Sequence, residues 1–257
     1  MFECEDVYRA VNDEEADPRM TEATIRGFPR TTDLGTLVLV GVVHDHPASV
    51  ARVATLLDRF TPETLALELP PLSIPLFRQY AHDEYTPPCL GGEMSAAIQS
   101  VESGAVVGID APNRRYVREL LRTLGGDDEA RAVTRPVLRD LGRSVLHAIT
   151  CRLGAVVAAS TPLTPRLYRH IPYRVSMLDP PDEQAAHERS HVAQFDAFVG
   201  SVDTPPETAL VDRIREAVMA ERIERLRRDG DVVCVVGMSH LDALERRLRS
   251  SEERDTV

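Results

Sequence analysis

The chain has 257 residues, of which 43% are hydrophobic, so it can bury a core as one large or two small domains and is not an intrinsically disordered chain. Thirty basic residues against 41 acidic ones give a net charge of −11. This balance argues against nucleic acid as a partner, because duplex binding needs a basic face. All the basic residues are arginine, which suits a salt-rich cytoplasm or a GC-rich genome.

The sequence predicts a cytoplasmic protein without a membrane span. Its N-terminus is acidic and lacks the basic and apolar regions of a signal peptide. The best membrane candidate, 144–160, contains a histidine and an arginine and falls short of the roughly 20 apolar positions that a span needs. The four cysteines form no C-x-x-C pair, which is typical of thiols in a reducing compartment.

Charge and periodicity divide the chain into three parts. Acidic residues dominate the start, so we expect residues 1–32 to form a poorly ordered N-terminal segment. A single domain is expected at 33–250, followed by a tail at 251–257. Prolines interrupt the helical stretches of about 123–203, and no buried strand is evident there, which predicts a helical insertion.

Apolar and β-branched runs alternate with helical periodicity along the domain. The runs predict strands at 37–40, 64–69, 105–110 and 231–236. Helical spacing predicts helices at 48–60, 94–103, 116–124, 207–228 and 241–248. A strand, a helix and a second strand within about 35 residues form a βαβ unit, which pairs strands in parallel. We therefore expect an α/β fold with a mixed or mostly parallel sheet of four or more strands, flanking helices and a helical insertion.

A repeated V-G-x-x-H pattern is the most informative feature of the sequence. One copy ends in His44 and the other in His240, and each follows an apolar strand and precedes a helix. Open α/β sheets bind ligands beyond the carboxyl ends of their strands, and a glycine there permits a tight turn. If the two strands are neighbours, both imidazoles reach one crevice. Taken singly, each pattern indicates only a turn.

Two acidic residues complete this candidate site. Glu68 ends the second strand, where a buried carboxylate needs a partner, either an arginine or a metal. Two imidazoles and one carboxylate suit a divalent metal, so His44, Glu68 and His240 are candidate ligands for manganese, cobalt or zinc. Glu93, at the start of a helix, is a candidate catalytic base, although a helix N-terminus also favours an acid without any chemistry.

Arg215 is the second candidate catalytic residue. A guanidinium group neutralises a substrate carboxylate or stabilises an oxyanion. Its helix is rich in arginine and glutamate, so a solvated position is the alternative interpretation.

A rival metal motif lies in the helical insertion. Residues 187–191 match H-E-x-x-H, in which His187 and His191 lie one helical turn apart and Glu188 acts as the base of a zincin. Arg189 lies between the two histidines and the neighbours are polar, which favours a chance match on a solvated helix. His46 is expected only to support the candidate site, because Pro47 begins a turn.

Four blocks of the sequence resemble, in order, the TraB/PrgY (pheromone shutdown) family, which is grouped with the Tiki and GumN proteins. They cover about residues 35–122 and 205–248 and read LVLVGVVHDHPASV…TPETLALELP, GGEMSAAIQSVESGAVVGID, VDRIREAVMAERI and DVVCVVGMSHLDAL. The resemblance puts the two GxxH histidines of the family on His44 and His240. It puts the strand-ending glutamate on Glu68 and that of the G-x-E-M block on Glu93.

The chain departs from the family pattern at three places. The arginine that the family usually has a few residues after its strand-ending glutamate is displaced, and Arg78 is the nearest. The arginine of the family's E-R-D-x-x-M-A helix falls on Arg215, but Ile214 replaces the leading acid. Asp110 is followed by Ala111, where the family has an arginine.

The resemblance implies one of two activities. Tiki proteins are described as metal-dependent peptidases built on paired GxxH histidines and glutamate, and PrgY proteins as blocking or sequestering a peptide pheromone. Our first hypothesis is a metal-dependent, peptidase-like hydrolase. The alternative is a non-catalytic regulator that binds a peptide or a small ligand. Either is compatible with a homo-oligomer.

Overall fold

The sheet of this protein contains five strands among the residues that the computed structural model describes, which are 17–101, 103–126, 132–201 and 204–255. The strands are β1 (Ile25–Phe28), β2 (Leu37–Val42), β3 (Thr64–Leu67), β4 (Ala105–Gly108) and β5 (Val232–Gly237). Their order across the sheet is β1-β2-β5-β3-β4. All neighbouring pairs are parallel except β1 and β2, which are antiparallel. The predicted α/β class with a mostly parallel sheet is confirmed.

Helices cover both faces of the sheet. The described helices are α1 (Pro47–Arg59), α2 (Ile74–Ala81), α3 (Gly92–Ser100), α4 (Arg114–Gly126), α5 (Thr134–Ser160), α6 (Pro181–Gly200), α7 (Pro206–Asp229) and α8 (Met238–Asp255). One face packs against α1, α2, α3 and α5, and the other against α7 and α8. Strands β2, β3 and β5 are buried along their whole length, which explains why their sequences are continuous apolar runs rather than alternating ones.

The central strand β5 determines where the candidate site forms. It is the last strand in the chain, yet it lies between β2 and β3. Strand β2 pairs with β5 as far as Gly237, and β3 pairs with it as far as Val235. The carboxyl ends of the three strands therefore meet at one edge of the sheet, and the three predicted metal ligands follow these ends.

The predicted N-terminal and C-terminal boundaries are wrong in part. Residues 25–28, assigned to a segment outside the domain, form the edge strand β1, in which Ile25 and Phe28 are buried. Arg26 fixes this strand to α8 through Glu245 and Asp242. At the other end α8 continues to Asp255, so residues 251–255 are helical rather than a tail. The expected poor order of residues 1–16, and residues 256–257, lie outside the described residues.

The described residues between α4 and α7 form the helices α5 and α6 and contain no strand. By length and composition α5 is long and apolar enough to cross a membrane, and 22% of its most apolar window is buried. Its inner face, with Ala148, Cys151 and Ala155, packs into the fold. Its outer face exposes large apolar side chains, among them Leu146 and Leu153. The absence of a membrane span remains a prediction from the sequence.

Candidate functional site

The glycines of the two V-G-x-x-H patterns allow close packing rather than an unusual backbone conformation. Neither is among the described glycines with a positive φ. A Cβ added to Gly41 would lie 2.5 Å from the sulfur of Met238 and 2.7 Å from Leu241, so this glycine lets α8 approach β2. A Cβ on Gly237 would instead point into the space between His44 and Glu68.

His44 is held by a buried carboxylate. Its Nδ1 lies 2.6 Å from Oε1 of Glu93, and Oε2 of Glu93 accepts the Asp45 N–H at 2.9 Å. Glu93 is fully buried in the first turn of α3, whereas half of the His44 side chain is exposed. The hydrogen bond to Glu93 outweighs burial and raises the pKa of His44 to about 9. The ring therefore has its Nδ1 side fixed and its Nε2 side turned toward Gly237, 3.8 Å from the added Cβ.

Glu68 lies at the centre of the candidate site. Its Oε2 accepts the Gly237 N–H at 2.6 Å, which fixes the end of β3 to the end of β5. Its Oε1 lies 3.1 Å from Nη2 of Arg215 and 3.4 Å from Nε2 of His240. Both carboxylate oxygens are therefore in contact with polar partners, and only 8% of the side chain is exposed.

His240 is held in the same way as His44, by a carboxylate on its Nδ1. Its Nδ1 lies 3.3 Å from Oε1 of Glu216 on α7, and the other oxygen of Glu216 lies 3.6 Å from Arg247. Burial alone would lower the pKa of His240, but the carboxylates of Glu216 and Glu68 outweigh it and raise the pKa. The two GxxH histidines thus each have Nδ1 on a carboxylate.

Arg215 connects α7 to the ends of two strands. Its guanidinium binds Asp110 through two hydrogen bonds of 2.9 Å and also contacts Glu68 and Asp212. The predicted solvated alternative is therefore wrong, because only 22% of the side chain is exposed. Three carboxylates already occupy this guanidinium, so the described structure gives it the task of neutralising acidic residues at the sheet edge.

The imidazole and carboxylate groups at this edge are of the types that bind a divalent metal, although they are not close enough together to form a complete metal site. No three His, Cys, Asp or Glu side chains among the described residues form a group that could hold a metal ion. A Cβ added to Gly237 would lie 3.8 Å from Nε2 of His44, 3.4 Å from Oε2 of Glu68 and 3.8 Å from Oγ of Ser239. The missing side chain therefore leaves a small space bounded by polar atoms. Histidines that bind metals usually hold a carboxylate or carbonyl with the other ring nitrogen, as His44 and His240 do.

Comparison with known proteins gives no match. No protein-family model, no curated protein and no solved structure matches the chain. The site is therefore interpreted from its geometry and from the motifs in the sequence.

Sequence reasoning missed three residues of this site. Asp110 directly follows an apolar strand, as Glu68 does, and this signal was available in the sequence. Ser239 lies inside the second V-G-x-x-H pattern, where no rule distinguished it from a turn residue. Glu216 lies in a helix with many charged residues, so its contact with His240 could be found only from the packing of α7 against α8.

The H-E-x-x-H motif forms a structural contact in the described structure. Glu188 is buried, accepts a 2.5 Å hydrogen bond from Ser49 and pairs with the buried guanidinium of Arg52. The expected solvated helix is therefore wrong at this position, because Glu188 fixes α6 to α1. His187 lies 2.9 Å from Nε2 of His46.

His46 caps helix α1 as well as contacting α6. Its Nδ1 accepts the Ala48 N–H at 3.2 Å, and its ring packs against Tyr173 at 4.7 Å between centroids. Burial lowers the pKa of His46 to about 4, so the ring is neutral at pH 7. His191 also contacts Tyr173, with the ring centroids 5.4 Å apart. His46 and His191 thus both pack against Tyr173, which belongs to the segment between α5 and α6.

Proposed function

We propose that this protein is a TraB-like, metal-dependent hydrolase of peptides or similar amides. One observation carries this function: Glu68 lies 3.4 Å from Nε2 of His240 and borders the same space at Gly237 as Nε2 of His44, and each histidine has its Nδ1 on a buried or nearly buried carboxylate. This arrangement leaves Nε2 of His44 and Nε2 of His240 on the side of Glu68. His44, Glu68 and His240 would hold the metal, with manganese, cobalt or zinc as candidates.

Each surrounding residue has a task in this function. A divalent ion bound here would polarise a substrate carbonyl and lower the pKa of water. Glu93 orients His44 and lies behind it, so it acts as a positioning residue rather than as the base that the sequence suggested. Glu216 orients His240 in the same way. Arg215 balances the negative charge of Glu68 and Asp110, which would otherwise repel each other at this edge.

Metal content of the purified protein tests this function. We expect near-stoichiometric metal in the wild type after loading with manganese, cobalt or zinc, and its loss in His44→Ala and in His240→Ala. The matched control is His187→Ala, which removes an imidazole from the H-E-x-x-H helix and should keep the metal. Absence of metal from every form would refute the metal site, and loss only in His187→Ala would move it to α6.

A non-catalytic regulator that binds a peptide or small ligand is the second candidate. Two observations favour it. Both oxygens of Glu68 are already in contact with protein groups. Ile214 is a buried core residue at the position where the TraB/PrgY family has an acid. Turnover of a peptide library by the metal-loaded protein, lost in Glu93→Gln, would exclude this candidate. Saturable peptide binding without turnover would support it.

A further inference from the structure

A cavity of about 420 Å³ is lined by the residues that neighbour His44 and Glu93 in sequence. Its wall includes Asp45, which follows His44, and Gly92, which precedes Glu93. It also includes Tyr173, whose hydroxyl donates a 2.8 Å hydrogen bond to the carbonyl oxygen of His44. A group bound in this cavity would therefore contact the same short segments that position His44.

Apolar side chains form most of the wall. They come from α1, from the loop before α3 and from the segment before α6, and are Val50, Pro87, Pro88, Pro172, Val175 and Met177. Four of the lining residues are prolines, counting Pro47, so much of the wall has a restricted backbone. A wall that is already ordered loses little entropy when a ligand binds.

The charged group in the wall is already satisfied by the protein. Asp45 accepts the hydroxyl of Tyr168 at 2.6 Å and the Ile171 N–H at 2.7 Å, and its side chain is fully buried. His170, which also lines the cavity, lies 3.5 Å from the same carboxylate. No further acid and no arginine lines the cavity, and the His170 imidazole already lies beside the Asp45 carboxylate, so a charged ligand group would lose its hydration with little compensation.

Building on the hydrolase function proposed above, we propose that this cavity binds an uncharged aliphatic or aromatic side chain of the peptide substrate. Small-molecule sites in proteins range from about 300 to 1,000 Å³, so this cavity is suited to one or two side chains rather than to a long segment. The substrate class is therefore peptides with an apolar residue beside the bond that reacts at His44 and Glu68.

The test uses a binding signal that needs neither metal nor turnover. The full-length protein is labelled with ¹³C at its methionine methyl groups and titrated with N-acetyl-leucinamide, N-acetyl-phenylalaninamide and N-acetyl-aspartamide. We expect the Met177 signal to shift saturably with the first two probes and not with the third. Met177→Arg should weaken binding of the apolar probes at least about tenfold, detected by ligand-observed NMR. The matched control is Leu178→Arg, a change at the next residue, which is 96% exposed and does not line the cavity.

The outcomes separate this cavity from the hydrolase site. An apolar probe that binds with the expected pattern supports the cavity even when no peptide is cleaved, and then only the hydrolase function fails. Unchanged Met177 signals, equal binding of the aspartamide probe, or equal effects of Met177→Arg and Leu178→Arg would overturn the cavity assignment. Cleavage of peptides without apolar preference would overturn it as well while leaving the hydrolase intact.

The outer face of α5 carries a second, independent inference. Leu146, Ile149, Leu153 and Val156 are 65%, 44%, 61% and 54% exposed. They follow one another at spacings of three, four and three residues, which is the spacing of a seam between two packed helices. They point away from the buried face of α5, on which Cys151 packs into the core.

The spacing of this stripe is symmetric about position 151. In an antiparallel pair of α5 helices, Leu146 of one copy lies opposite Val156 of the other, and Ile149 lies opposite Leu153. The arginines that flank the stripe, Arg143 and Arg152, then face positions 159 and 150, which are Ala and Thr. Two copies can therefore bury the stripe without placing like charges against each other.

We infer that this stripe is the interface between two copies of the chain. Sedimentation equilibrium over a concentration series should give a dimer for the wild type and a monomer for Leu153→Glu. Leu178→Glu, which changes an exposed leucine outside α5, should remain dimeric. A monomeric wild type, or a dimer that survives Leu153→Glu, would overturn the interface. Co-sedimentation of a monomeric wild type with anionic lipid vesicles would assign the stripe to a membrane surface instead.

Discussion

The pairing of Glu188 with Arg52 allows a decisive test of the H-E-x-x-H helix. Arg52 is fully buried, and its guanidinium also donates to the carbonyl oxygens of Arg19 and Gly41. Glu188 is 4% exposed and provides the negative charge for this guanidinium. Glu188→Gln keeps the size of the side chain but removes its charge, which leaves a buried cation without a counter-charge.

The expected cost is large relative to the stability of a domain. Removing one partner of a buried ion pair typically costs about 3–5 kcal/mol. Domains are stable by about 5–15 kcal/mol in total, so Glu188→Gln should lower the urea midpoint strongly. The measurement is urea unfolding followed by circular dichroism. Glu183→Gln is the matched control, because Glu183 is exposed on the first turn of the same helix and should change stability by less than about 0.5 kcal/mol.

A double mutant separates the ion pair from packing. Arg52→Met combined with Glu188→Leu replaces both charges by apolar side chains, so its loss of stability should be clearly smaller than the sum of the two single losses. An unfolding free energy of Glu188→Gln within about 1 kcal/mol of the wild type would show that the ion pair does not stabilise the fold. If this variant also lost a metal-dependent activity, Glu188 would be a zincin base rather than a structural residue.

Two further changes test the candidate site from its periphery. Gly237→Ala adds a methyl group 3.4 Å from Glu68, an ordinary contact distance, so stability should change little while metal content falls. In contrast, Gly125→Ala meets no heavy atom within 4 Å and should leave the metal in place; equal metal in both variants would contradict the assigned space. Glu216→Gln should weaken metal binding about 10–100-fold in chelator competition, because Glu216 orients His240. Glu221 lies on the same helix but pairs with Arg115 at the surface, so Glu221→Gln should leave metal binding unchanged. Equal weakening of metal binding in the two variants would show an effect of net charge instead of the orientation of His240.

The fold was predictable where a segment has one strong pattern. Strands β2, β3 and β5 coincide with apolar runs, because strands buried on both faces carry almost no polar positions. Strand β4 is also an apolar run, although this edge strand is only partly buried. Strand β1 has only four residues and follows an acidic stretch, so composition assigned it to a disordered segment. The end of α8 is rich in arginine and glutamate, and such a sequence describes a solvated helix and a tail equally well.

The candidate site was predictable where its residues directly follow strands in the sequence. The sequence places His44, Glu68 and His240 at one edge because residues that follow parallel strands meet there once the strands are neighbours. The contact of Glu93 with His44 was not predictable, because only the approach of the first turn of α3 to the segment after β2 shows it. The burial of Glu188 likewise depends on a cation on another helix, Arg52, which no local pattern indicates.

The position of β5 has a consequence for how this chain acquires its structure. The strand made last is inserted at the centre of the sheet, between β2 and β3. Until residues 232–237 have been synthesised, both of these apolar strands have an unpaired edge, which can pair with another chain and lead to aggregation. The contacts that close the sheet join residues far apart in sequence, and such contacts slow folding. A deletion at the C-terminus that reaches β5 would therefore divide the sheet into two pieces instead of trimming its edge.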